Sequence, residues 1–217
     1  MMKTRQEIKQ QAKTNMGKQR ATAVSIILLP LALGIIIGLL AMIPIIGELT
    51  AIAGILAALV LAVGVNGAYI SIYNDGPAAA AAVIGSCKVN FWRKAGGMLW
   101  MALLVFLWSL LLIVPGIVKA YAYSMTPYIL ADCPEVTADR ALELSMRMTK
   151  GHKGKLFIMH WSFIGWMLLS ALTLYILLIV HVAPYIQATM AGYYEELRKE
   201  ALSKGIIKPE EFGAYNY

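Results

Sequence analysis

Charged residues are scarce in this sequence, and acidic ones are the scarcest. Only 14% of the 217 residues are charged, against about 25% in a typical soluble domain, and 59% are hydrophobic. A soluble core of this length does not need so much apolar surface. The chain holds 19 Lys and Arg against 12 Asp and Glu, so it is basic overall. Because the basic residues flank long apolar runs, a positively charged cytoplasmic side of a membrane protein explains them better than nucleic-acid binding.

Residues that build catalytic or metal sites are also few. The two cysteines, Cys87 and Cys133, form no CxxC pair, and we expect both thiols to be free in the cytoplasm. The three histidines are scattered along the chain. No HExxH, GxSxG, P-loop or paired-carboxylate pattern occurs. We therefore expect no catalytic residues, no metal and no cofactor, and we do not expect an enzyme.

Continuous apolar runs predict an all-α polytopic membrane helical bundle with about six transmembrane helices. Runs longer than about 18 apolar residues mark spanning helices, and continuous rather than alternating hydrophobicity favours helices over a barrel. The spans lie in a single transmembrane domain, 21–194, at 21–43, 49–73, 98–114, 117–131, 156–172 and 176–194. The last two are preferred to one long span, with turns expected at 44–48 and near 173–175. The first run is too long for a cleavable signal peptide, so we expect it to be retained.

The basic residues predict which way this bundle faces. With six spans, 18 of the 19 Lys and Arg fall on one side: six at the N-terminus, three in the second loop, five in the fourth loop and four at the C-terminus. The positive-inside rule then places both termini in the cytoplasm, in a multi-pass protein of the cytoplasmic membrane. Five spans would put the basic tail outside.

Short amphipathic or interfacial helices are expected at the cytoplasmic face. Residues 1–20 start with a capping box at Thr4 and Glu7 and predict a basic interfacial helix attracted to anionic headgroups, with a solvated tail as the alternative. Residues 78–97 mix aromatic and basic side chains, which indicates a segment at the membrane surface. Thr137 is the expected N-cap of a helix that ends near Gly151. Residues 195–217 are predicted to form a cytoplasmic tail.

Lys119 is the one basic residue that the charge rule leaves on the outer side. A lysine near a helix centre costs roughly 2.5–3.5 kcal/mol on insertion scales. Lys119 follows Gly116 by less than one turn, so it could snorkel to the outer surface. Glu48 is the acidic residue expected on that side. Lys119 and Glu48 are therefore the candidate ion pair, and the alternative is a gating or ligand contact.

Prolines and small residues mark candidate breaks and packing sites. Pro115 and Gly116 predict a turn, and Pro127 predicts a kink. Alternatively, these breaks expose backbone groups to a cavity, as in transporters. Three residues of the first two spans have the small or polar side chains that favour helix packing: Gly34, Gly38 and Asn66.

Several strings of the sequence resemble, in order, the signature of one family. They are TRQEIK at 4–9, LWSLLLIVPGIVKAYAYSMTPYILAD at 107–132, ALELSMRMTKGHK at 141–153, SFIGW at 162–166, and residues 184–195. The chain is similar to an uncharacterised bacterial integral-membrane family catalogued as domain of unknown function nine hundred and seventy-five. The resemblance implies a multi-pass membrane protein and no settled activity. Relatives tend to carry glycines between the last two spans, where this chain has Leu174, Tyr175 and Ile176.

Two functions remain open from the sequence. The first is a non-enzymatic membrane component that binds anionic membrane lipids, a second copy of itself or another membrane protein. The second is a small-solute or ion transporter or channel that works as an oligomer, suggested by the broken span around Lys119. No acidic residue lies deep in a predicted span, which disfavours a coupled carrier. We expect no nucleic-acid partner.

Overall fold

The computed structural model describes residues 2–43, 46–173 and 175–213, and every regular element in these ranges is helical. Parts of four predictions lie outside the described residues: position 1 of the N-terminal helix, positions 44 and 45 of the first turn, position 174 of the last turn, and 214–217 of the tail. The elements are α1 (Arg5–Lys18), α2 (Arg20–Leu40), α3 (Ile46–Tyr73), α4 (Ala80–Lys88), α5 (Phe91–Leu111), α6 (Ile113–Tyr123), α7 (Thr126–Asp132), α8 (Ala138–Thr149), α9 (Lys153–Trp161), α10 (Ile164–Leu172), a π-helix (Leu178–Val182), α11 (Ala183–Ser203) and a 3₁₀-helix (Pro209–Phe212).

Three helices, α2, α3 and α5, are long and apolar enough to cross a membrane. α2 and α3 match the predicted spans 21–43 and 49–73 within a few residues. α5 starts at Phe91 rather than at 98, because the residues after Asn90 continue the helix without a breaker. Asn90 adopts the left-handed conformation, with φ of 53°, and separates α5 from α4. The predicted surface segment 78–97 is therefore two elements, and its second half belongs to a long helix.

The long helices form two hairpins with exposed apolar surfaces. α3 packs along α2, and α6 packs along α5. Exposed apolar side chains of these hairpins include Ile35, Leu39, Ile52, Ile55, Phe106 and Leu110. A contiguous apolar surface of this kind marks a membrane or protein contact. The distal halves of the hairpins are thus the part of the molecule suited to lipid tails.

The opposite ends of the helices meet in a compact region that we call the polar base: α1, residues 73–79, α7, α8 and residues 195–213. Four side-chain contacts join its parts: Lys18 to Asp75 at 2.6 Å, Lys3 to Glu196 at 3.3 Å, Asn74 to Glu195 at 3.0 Å and Arg147 to Glu211 at 2.9 Å. The N-terminus, the α3–α4 connection, α8 and the C-terminal segment therefore lie at the same end of the molecule.

The first helix is docked on the base. α1 begins with the predicted capping box, in which Thr4 and Glu7 bond reciprocally. Its stripe of Ile8, Ala12 and Met16 is buried, and the helix packs on α11 and α3. α1 is consequently a packed helix rather than a solvated tail.

The amphipathic helix predicted after Thr137 is present as α8. Gly151, with φ of 84°, follows its end, as the sequence predicted. Ala141, Leu144 and Met148 form its buried side.

Two predicted spans are each divided into two shorter helices. The segment 117–131 lies on α6 and α7, which separate at Ser124. The segment 156–172 lies on α9 and α10, which separate at Ser162. There the Ser162 hydroxyl bonds back to the Met159 carbonyl and accepts from the Lys9 ammonium at 2.6 Å. Such side-chain bonds compete with helix continuation, so neither segment is the unbroken helix that its hydrophobicity predicted.

The final helix extends far into the predicted tail. Helical residues run without interruption from Ile176 to Ser203, with the π-helix near the start. Glu195, Glu196 and Leu197 are buried in the polar base. The first residues of the predicted tail 195–217 therefore pack into the base, because their carboxylates have partners across it and the leucine joins the core.

Candidate functional site

Lys119 lies on α6 and contacts aromatic rings of its own hairpin. Its ammonium is 4.7 Å from the centroid of the Trp108 ring and 5.7 Å from that of Tyr123. A cation over an aromatic face gains about 0.5–1 kcal/mol at an exposed site. Among the described residues, no ion pair joins Lys119 to Glu48. The structure therefore gives this lysine ring partners and does not bring the two predicted partners together.

The turn predicted at Pro115 and Gly116 lies three residues earlier, at Leu112, whose backbone is extended. Pro115 and Gly116 belong to the first turn of α6, where a backbone N–H has no intrahelical acceptor and proline is tolerated. A Cβ on Gly116 would lie 2.7 Å from the Cα of Ser109. Glycine is thus required here by the close approach of α6 to α5, not by a turn.

The break between α6 and α7 is closed by hydroxyl groups of α8. Ser145 accepts from the Met125 N–H at 3.1 Å and donates to the Ala122 carbonyl at 2.8 Å. The Thr149 hydroxyl contacts the same carbonyl at 3.2 Å. Pro127, predicted to mark a break, lies in the first turn of α7 beside it. These backbone groups are satisfied by hydrogen bonds inside the protein.

The predicted packing residues are not used as the sequence suggested. A Cβ on Gly34 or Gly38 would meet no atom within 4 Å, so this pair makes no close helix contact within the described part of the chain. Close approach occurs elsewhere, as where Gly192 meets the Tyr73 ring. Asn66 is buried on α3, but no hydrogen bond of its amide is found among the described residues.

A carboxylate, Asp132, links α7 to α11 within the base. It accepts from the Tyr194 hydroxyl at 2.8 Å and from the Arg198 guanidinium at 2.6 Å. Three backbone carbonyls at the end of α7 and just beyond it accept from the Arg93 guanidinium: those of Leu130, Cys133 and Val136. Sequence reasoning missed this arrangement, since its members are far apart in the chain.

The two thiols and His152 differ in their surroundings. Cys87 and Cys133 are both free, and burial raises the pKa of the Cys133 thiol to about 12, so this thiol is a poor nucleophile. Burial lowers the pKa of His152, whose Nε2 lies 3.5 Å from Glu200. The part of the chain that the structure describes contains no group of three side chains able to hold a metal ion.

Several exposed cations of the base and its neighbouring helix ends have no acidic partner among the described residues. They include Arg5, Lys13, Arg20, Lys150 and Lys155. We call these five residues the basic face. The nearby carboxylates Asp75, Glu196 and Glu200 are already engaged by Lys18, Lys3 and Lys204. The positive charge of the basic face is therefore not neutralised by these carboxylates.

A buried lysine lies beside the basic face, and sequence reasoning placed it at the surface. Lys94, on α5, is only 6% exposed and donates to the Ser86 carbonyl at 2.6 Å. It lines a cavity of about 270 Å³ between α3 and α4. The signal in the sequence was a cation followed directly by the small residues Ala95, Gly96 and Gly97, which allow neighbouring helices to approach it.

Comparison with known protein families gives a match to the part of the chain that contains much of this arrangement. A model of the family described as Protein of unknown function (DUF975) matches residues 99–201. The match supports the assignment of the chain to this family. The DUF975 segment holds Lys119, the break closed by Ser145, and Asp132 with its α11 partners, whereas α1 and Lys94 precede it. No curated protein and no solved structure matches the chain.

Proposed function

We propose that this DUF975 protein is a six-span protein of the bacterial cytoplasmic membrane that works by binding and not by catalysis. Both termini would face the cytoplasm. The ligands would be anionic membrane lipids, held by the basic face where it meets the headgroups. A second copy of the chain or another membrane protein would dock within the bilayer, on the apolar hairpins.

The observation that carries this proposal is the separation of surfaces. The hairpins end in exposed apolar side chains, whereas the basic face lies at the opposite end with no acidic partner. A cation near an anionic leaflet gains about 1 kcal/mol from the surface potential. A molecule with this distribution of charge is suited to sit in a bilayer with its basic end among anionic headgroups.

Chain length supports six crossings. α6 with α7, and α9 with α10, each comprise about 20 residues, the length that crosses a hydrocarbon core. Interrupted helices are tolerated in membranes when protein groups satisfy the freed backbone, as Ser145 does for the first pair. Together with the three long helices and the helix from Ile176, these segments supply the six spans.

Lipid selection tests this function. The protein would be reconstituted in equimolar phosphatidylcholine and phosphatidylglycerol, extracted in mild detergent, and the retained lipids quantified by mass spectrometry. We expect phosphatidylglycerol to be enriched at least about twofold. The double variant Arg5→Gln, Lys13→Gln should lose much of this enrichment. The matched control Lys18→Gln, Asp75→Asn, which neutralises an ion pair without changing net charge, should keep it.

Ion or solute flux through the same proteoliposomes addresses the transport alternative, for which the divided helices are the motivating feature. We expect no flux above that of empty vesicles. Reproducible flux that is lost in Lys119→Ala, without lipid enrichment, would overturn the binding function in favour of transport.

A further inference from the structure

The cavity between α3 and α4 is lined by small side chains with one charged group. Gly64, Gly67, Ala68 and Ser71 form the α3 side at helical spacing, and Ala79, Ala82, Val83 and Ser86 form the α4 side. Its volume, about 270 Å³, is roughly nine times the ~30 Å³ that one water molecule occupies in the liquid. Pro77, Ala79 and Ala82 are exposed, so the cavity opens at the surface of α4.

Lys94 supplies the charge of this cavity without a counter-ion. Its ammonium has three donors, and the described residues provide one acceptor, the Ser86 carbonyl. No carboxylate of the described chain forms an ion pair with it. An unpaired buried charge is strongly unfavourable, so a site that retains one is suited to an anionic ligand.

The backbone adds donors at the other end of the cavity. α4 has no side-chain cap at Ala79, and the first N–H groups of a helix have no intrahelical acceptor. Residues 77–79, which lead into α4, line the cavity. The positive end of the α4 dipole and the Lys94 ammonium therefore bound the same space from two sides.

We propose that this cavity binds a phosphate group, with Lys94 as its charged ligand. The proposal rests on the proposed function, because the cavity opens near the polar base, where headgroup phosphates would lie. Two sources share the chemistry: the phosphate of an anionic phospholipid and free inorganic phosphate. The small side chains of α3 and α4 leave the space, and Lys94 with the first turn of α4 supplies the donors.

Binding is tested by calorimetric titration of the purified full-length protein in detergent, with short-chain phosphatidylglycerol in one arm and inorganic phosphate in the other. We expect saturable binding to the wild type. Lys94→Gln should bind about tenfold more weakly, the usual effect of losing one charge-assisted hydrogen bond. Ala82→Leu keeps the lysine but fills the cavity, so it should also lose binding even if Lys94→Gln folds poorly. The matched control is Lys88→Gln, which removes an exposed lysine of α4 outside the cavity.

Each outcome decides between the alternatives. Binding of phosphatidylglycerol that depends on Lys94 and Ala82 supports the site with a lipid ligand, and the same dependence for inorganic phosphate alone supports it with a free anion. Wild-type affinity in both cavity variants, or no saturable binding in either arm, overturns the site. Wild-type affinity of both cavity variants in calorimetry, together with unchanged lipid enrichment in vesicles, would overturn the site alone and leave the lipid function. Lys94-dependent phosphate binding without any lipid enrichment would overturn the lipid function and leave the site.

Discussion

The contact of Lys119 with Trp108 replaces the ion pair that the sequence suggested. A lysine on an apolar helix can bury its methylene chain along the hairpin and place its ammonium over an indole ring. The ring contact needs no acidic residue on the same side. It accounts for a basic residue outside the basic end of the molecule without invoking a ligand.

Double-mutant cycles distinguish Trp108, the ring that Lys119 contacts, from Glu48, the partner predicted from the sequence. The cycle of Lys119→Met with Trp108→Leu should give a coupling energy of about 0.5–1 kcal/mol, measured from reversible unfolding in detergent micelles. The control cycle of Lys119→Met with Glu48→Gln should give a coupling near zero, since the two side chains form no ion pair. A larger coupling to Glu48 than to Trp108 would contradict the geometry.

Ser145 is the residue whose removal should affect stability most specifically. Its hydroxyl accepts a hydrogen bond from the Met125 N–H and donates one to the Ala122 carbonyl, both at the break between α6 and α7. Ser145→Ala leaves both buried groups without this partner, so we expect the free energy of unfolding to fall by about 1–3 kcal/mol. Ser203→Ala, which removes an exposed hydroxyl, should change it by less than about 0.5 kcal/mol. Equal effects of the two substitutions would show that the break does not depend on α8.

At the scale of the helices, glycine has opposite roles in the two hairpins. Gly116 lies where α6 meets the backbone of α5, whereas Gly34 faces open space on α2. Gly116→Ala should destabilise the protein by about 1–3 kcal/mol, because the added methyl group forces the helices apart. Gly34→Ala should be neutral or stabilising by up to about 1 kcal/mol, since alanine is the better helix former. Thermal unfolding in micelles compares them directly, and destabilisation by Gly34→Ala alone would instead indicate that this surface packs against another molecule.

Elements set by neighbouring residues were predictable from the sequence. The capping box of α1, the limits of α8 and the two apolar helices α2 and α3 each depend on residues within one segment, and each was confirmed within a few residues. The first turns of α5 were assigned to the surface because Trp92 and Arg93 resemble interfacial residues. The structure shows that Trp92 is exposed while Lys94, two residues later on the other side of the helix, is covered.

The remaining features depend on contacts between distant segments. The break at Ser162 involves Lys9, 153 residues away, and the break after Ser124 involves Ser145, 20 residues away. Burial of Lys94 requires α3 and α4 to meet around it. Hydrophobic periodicity carries no information on such pairings, so the sequence predicted apolar continuity where the structure has two helices.

For the molecule as a whole, the distribution of surfaces is the main result. The apolar hairpins and the basic face lie at opposite ends, and the basic segments that the chain separates widely are joined by direct contacts in the base. The proposed function and the proposed phosphate site both require that the base lie at a membrane surface. The direction in which the molecule crosses the bilayer is therefore the central claim.

Labelling of single cysteines with a membrane-impermeant maleimide tests that claim most directly. In a background with Cys87→Ala and Cys133→Ala, the reporters would be Met42→Cys and Leu49→Cys at the α2–α3 end, and Gly17→Cys and Ser203→Cys at the base. We predict that intact cells label only the first two and that inverted membrane vesicles label only the last two. Six spans require the labels at Gly17 and Ser203 to share a side. Labelling of these two on opposite sides, or of Met42 and Ser203 on the same side, would contradict the account.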